Sequence, residues 1–185
     1  NEIKKWCLKK LIPTTVAIPI DDVDVVRLLL FSIQITHKMF AGGTRATVTQ
    51  KGFRDRRRTF ESILADQFVG KFGEVVLMKY LRREFAIQIE LDWEISTDIE
   101  RFKNDIPNAK KRVSIKSSPT LAGAWAEAPL GYEYGVCVKC SIPPAPIIQF
   151  FIEACGFTKL LDFASSRIPL DDERFSSYLN DMKER

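Results

Sequence analysis

Apolar residues recur at helical spacing in two long stretches. Between residues 23 and 41 they fall at Val26, Leu29, Leu30, Ile33 and Phe40. Between 59 and 84 they fall at Phe60, Ile63, Leu64, Phe68, Phe72, Val75 and Val76. Side chains three and four apart share a helix face, so each stretch predicts a helix with one buried stripe. Asp21 or Asp22 offers a carboxylate to cap the first helix, and Gly42 and Gly43 end it. The period changes after residue 84. FAIQIELDWEI alternates Phe85, Ile87, Ile89, Leu91 and Trp93 on one face, the pattern of a strand. Further strands are expected over 95–102, 111–117 and 132–140, the first two joined by the turn-rich KNDIPNAK. After Pro143, Pro144 and Pro146 the chain is expected to turn helical again, with a last helix over 171–183 behind Asp171 and Asp172.

Helices on either side of a block of strands predict an α/β fold with a central mixed β-sheet flanked by helices. The 185 residues form one domain in this scheme. A helical segment over 1–52 precedes a core at about 53–140, and helices over 146–185 follow it. With 45% hydrophobic residues and 13 Phe, the chain is expected to fold without a disulfide or metal staple. No uncharged apolar run approaches the ~18 residues of a membrane span. NEIKKWCLKKLIP lacks a signal-peptide core, which points to a reducing, cytoplasmic setting.

The chain has a single histidine, His37. This excludes chemistry built on several histidines and leaves carboxylates and lysines as the catalytic material. Cys137 and Cys140 have metal-ligand spacing but no second pair to complete a site, so they are expected to be buried or half-buried thiols. The net charge of +4 permits an acidic partner without demanding one.

Three features carry candidate chemistry. In the second helix, GKFGE places Gly70 and Gly73 mid-helix, where glycine costs about 1 kcal/mol and implies close packing or a kink. Glu74 follows among apolar neighbours, so its carboxylate needs a metal ion or a lysine as partner. In the second feature, a hairpin turning near Pro107 would set Asp98 opposite Lys116 and Glu100 opposite Ser114, all on one sheet face. Asp105 also precedes Lys116 at a suitable spacing but falls in the turn, so Asp98 is preferred. The third is the run Lys116, Ser117, Ser118, whose hydroxyls suit a phosphate or a strand end.

An acid on a helix, an Asp on a strand and an acid-x-Lys tripeptide on the next strand resembles the PD-(D/E)XK nuclease superfamily, the fold of most type II restriction endonucleases. The resemblance spans about residues 53–140 and matches Glu74, Asp98 and Lys116. It departs at Ser114-Ile115-Lys116, where a serine stands in place of the usual acid. It implies Mg²⁺ held by Asp98 and Glu74, with Glu100 a further candidate, and Lys116 acting on the attacking water. It also implies a homodimer in a prokaryotic cytoplasm, cutting double-stranded DNA at a specific sequence. A junction-resolvase-like nuclease and an inactive DNA-binding module are the alternatives on the same scaffold. A basic connector over residues 44–58 supplies Lys51, Arg54, Arg56, Arg57 and Arg58 as candidates for DNA phosphates, and Ser117 and Ser118 are further candidates.

Overall fold

In the computed structural model, residues 2–6, 9–10, 15–42, 49–50, 56–96, 105–118, 131–139 and 170–183 are described. They form helices α1 (Glu2–Trp6), α2 (Asp22–Ala41), α3 (Phe60–Phe85) and α4 (Asp172–Lys183). The strands are β1 (Thr49–Gln50), β2 (Arg56–Arg57), β3 (Val113–Ser118) and β4 (Tyr134–Lys139). The class is α/β, as the alternation of periods implies.

Helix α2 starts where the sequence offers a cap. The Asp21 carboxylate accepts the Asp24 amide at 2.9 Å, and the Asp24 carboxylate accepts the Asp21 amide in return. Lys79 of α3 pairs with both acids, fastening the start of α2 to the middle of α3. The centre of α2 is buried on every side, from Arg27 to Thr36, rather than along one stripe. The reason is that α3 covers one face and Leu170 with Phe175 of α4 covers another.

Helix α3 packs on α2 and also on β3 and β4. Leu77 meets Ile106, Ile115 and Val138 in a small core of its own. β3 pairs with β4 in parallel, Lys116 opposite Cys137. β1 and β2 form a separate antiparallel pair.

The expected strand over 85–95 is corrected: α3 runs to Phe85, and 86–96 carries no strand. Its alternation serves packing instead. Ile89, Leu91, Trp93 and Ile95 each bury against the helical cores, as alternate side chains of an irregular segment laid across them. The expected strand over 95–102 and the expected helix after Pro146 lie outside the described residues, save 95–96, which are irregular. Cys137 is exposed rather than half-buried, because its side of β4 is uncovered by any described element.

At Gly73, α3 and β3 approach closely. A Cβ there would lie 3.0 Å from Ser117 Cβ, overlap Ser117 Oγ, and sit 3.5 Å from Ile115 Cγ2. At Gly70 it would meet nothing within 4 Å. The two glycines should therefore respond oppositely to alanine. Gly73→Ala should cost about 1–3 kcal/mol through overpacking. Gly70→Ala should gain up to about 1 kcal/mol of helix propensity. Urea denaturation of both variants checks this, and shifts of the same sign would contradict the close approach.

Candidate active site

The close approach at Gly73 places the next residue, Glu74, where α3 packs on β3. Glu74 is mostly buried, 18% exposed, and its partner is a lysine three residues earlier: Lys71 Nζ donates to Glu74 Oε2 at 2.6 Å. Lys71 is 5% exposed and also donates to the Asp92 carbonyl. Burial pushes the Glu74 carboxyl up to about 7, despite Lys71, and the charges of Asp105 and Asp92 add to the rise.

Asp105 reaches the site from the turn before β3. Its amide donates to the Val113 carbonyl at 3.3 Å, and its Oδ2 accepts the Ile115 amide at 2.6 Å. The carboxylate thus stands in for a backbone acceptor along the edge of β3. The bond to Val113 centres the reversal near Ala109 rather than Pro107. Burial pushes the Asp105 carboxyl up, while the Ile115 amide and the Lys116 and Lys71 charges pull against it. Asp105 is therefore within electrostatic reach of Glu74, Lys71 and Lys116 together.

Asp98 and Glu100 lie outside the described residues, as do Lys51 and Arg54. The acid seen beside β3 is Asp105, the less favoured candidate from the sequence. Ser114 is 2% exposed, a buried hydroxyl two residues before Lys116. Ser118 and the Ser117 Oγ are also buried, so neither hydroxyl faces solvent. Of the basic connector, Arg56 and Arg57 form β2, and Arg58 pairs with Asp66 on the first turns of α3.

Sequence reasoning misses Lys71 and Asp92. The signal for Lys71 is nonetheless present: a lysine three residues before a carboxylate on a helix is its neighbour. Among the described residues, no group of three or more His, Cys, Asp or Glu side chains is arranged to hold a metal ion. The donor chemistry nevertheless fits Mg²⁺. Glu74 and Asp105 are hard carboxylate donors, and Mg²⁺ commonly takes one or two carboxylates with waters and substrate oxygens. No protein-family model matches the chain, and it has no significant match among curated proteins or solved structures.

Proposed function

We propose that this chain is a Mg²⁺-dependent endonuclease that hydrolyses phosphodiester bonds of double-stranded DNA, with a restriction-endonuclease-like sheet. The observation that carries the proposal is the seating of the Asp105 carboxylate on the Ile115 amide of β3, next to Lys116 in the chain, with its charge felt at the buried Glu74 of α3. Glu74, Asp105 and Lys116 follow one another along the chain as acid, acid, lysine. Asp105 and Glu74 would hold the ion, with Asp98 or Glu100 as additional ligands from the segment between them. Bound there, Mg²⁺ would neutralise phosphate charge and supply a reactive water. Lys116, the cation on β3 beside Asp105, would offset charge that builds at the phosphorus. Ser114, a buried hydroxyl, is assigned no ligand role, and Ser114→Ala should be tolerated.

Cutting both strands of a palindromic site is most simply done by a two-fold dimer, which makes a homodimeric type II restriction enzyme of a prokaryotic cytoplasm the preferred form. A second reading, a DNA-binding module without catalysis, is favoured by Ser114 at the acid position and by Lys71 already seated on Glu74. Supercoiled plasmid incubated with Mg²⁺, Mn²⁺ or EDTA separates the two. Metal-dependent linear bands at fixed sites support the restriction enzyme. Nicking or cleavage only of branched DNA supports a junction-specific nuclease. A gel shift without cleavage under any metal sinks the enzyme reading.

Phosphate contact is assigned to Arg56 and Arg57 of the basic connector. The double variant Arg56→Ala, Arg57→Ala should weaken binding to all sequences alike. It should lower the salt slope by about 0.9 for each phosphate no longer neutralised. An unchanged slope would remove both residues from the DNA interface.

A further inference from the structure

Arg27 and Lys71, the buried cations among the described residues, share one indole. The Arg27 guanidinium of α2 lies 3.8 Å from the centroid of the Trp93 ring and 5.6 Å from that of Phe175 on α4. Lys71 Nζ lies 5.0 Å from the Trp93 centroid and 5.1 Å from that of Phe31. Phe31 in turn meets Trp93 edge-on, 5.7 Å between centroids, and belongs to one apolar cluster with Phe175. Two routes of packed side chains therefore run from Phe175 to the Lys71 ammonium, one through Arg27 and Trp93 and one through Phe31. Both end on Glu74, whose Oε2 accepts from Lys71 Nζ at 2.6 Å.

Helix α4 has a narrow seat. Phe175 and Leu170, just ahead of the helix, are buried, whereas Arg174, Ser176, Ser177, Asn180 and Asp181 are exposed. Lifting the helix off would expose those two apolar side chains, which opposes opening. It would also return water to the Arg27 guanidinium, whose burial is costly. Rehydration of that cation offsets part of the apolar loss, so a cover over Arg27 lifts more readily than one over a purely apolar core. Segments held by few buried side chains are the ones that open locally, ahead of global unfolding.

We propose that α4 is a latch on the Lys71–Glu74 pair: docked through Phe175, it keeps water from Arg27, Trp93 and the pair, and on release it lets water reach them. The latch acts on the accessibility of Glu74, so it would regulate any reaction that needs that carboxylate.

The test uses the full chain and three readouts. They are amide hydrogen exchange, emission of Trp93 with Trp6 and Trp125 replaced by phenylalanine, and labelling of the Glu74 carboxyl by a carbodiimide and an amine, with exposed Glu61 as internal reference. In urea below the unfolding transition, wild-type α4 amides should exchange faster than those of α2 and α3. Phe175→Ala should speed α4 exchange about 100-fold while α2 and α3 stay protected. Trp93 emission should then shift to the red, and Glu74 labelling should rise with Glu61 labelling constant. Exchange of α4, α2 and α3 as one unit in the wild type would overturn the proposal, as would unchanged α4 exchange in Phe175→Ala. Release of α4 with Trp93 emission or Glu74 labelling unchanged would overturn it too. Should Phe175→Ala fail to fold, wild-type exchange and the milder Phe175→Leu decide it by the same outcomes. Neither metal nor DNA enters these readouts, so a failed latch leaves the endonuclease reading standing, and a chain that does not cleave DNA leaves the latch to be judged on the same three measurements.

Discussion

If the chain is the proposed endonuclease, Asp105→Asn should lower DNA cleavage about 1,000-fold while leaving the chain folded and able to bind DNA. The substitution keeps an acceptor for the Ile115 amide, which Asp105 Oδ2 now takes at 2.6 Å. It removes the charge that a metal ion requires. A metal's stabilisation of developing charge is worth several kcal/mol, and each 1.4 kcal/mol is about tenfold in rate. Asp105→Ala would confound the result, since orphaning the Ile115 amide costs a further 1–3 kcal/mol or so of stability. Asn is therefore the informative change. Asp98→Asn should be milder, because Asp105 is the acid seated on β3 through the Ile115 amide. Single-turnover cleavage by both variants decides the matter, and the opposite ranking would return the metal to Asp98.

The second large effect is on stability against pH. The Glu74 carboxyl is pushed up to about 7 in the folded chain, against an ordinary value of 4.5. Between those values the folded state holds the proton and the unfolded state has lost it. Stability from this group is therefore greatest below about pH 4.5, falls as pH rises, and reaches its floor above about pH 7. At 1.4 kcal/mol per pH unit the loss is a few kcal/mol. Asp105, also pushed up by burial, works in the same direction. Urea denaturation in EDTA at pH 5 and pH 8 measures it, with Glu74→Gln as the reference that carries no titrating group there. The wild type should lose a few kcal/mol more than Glu74→Gln across that range. Equal losses would mean that Glu74 ionises normally and is not buried as described.

The long elements are legible in the sequence because their signals are local. The Asp21 cap, the apolar rows of α2 and α3 and the acids ahead of α4 each lie within a turn or two of what they control. The strand content is legible only in part. Residues 86–96 alternate because they lie across two helices, and one-sided burial produces the same alternation whether or not a ladder forms. The parallel partner of β3 cannot be read, since pairing across a gap of this length leaves no mark in either strand's period. Asp105 ranks low on sequence grounds because Asn104, Asp105, Pro107 and Asn108 all read as turn residues. A carboxylate that folds back onto a strand amide has the same sequence signature as one that only shapes a turn. Gly73 does signal a close approach, but its partner Ser117 belongs to another element and is not encoded locally.

The surroundings of Trp93 have an optical consequence. The indole lies edge-on to Phe31, 3.8 Å from a guanidinium and 5.0 Å from the ammonium that grips Glu74. Indole emission shifts in colour and yield when a nearby charge moves, so this ring is a fluorophore wired to the carboxylate. With Trp6 and Trp125 replaced by phenylalanine, the remaining emission would follow, without any added label, the arrival of an ion or a phosphate at the site and the grip of Phe175 and its helix on the other side of Arg27.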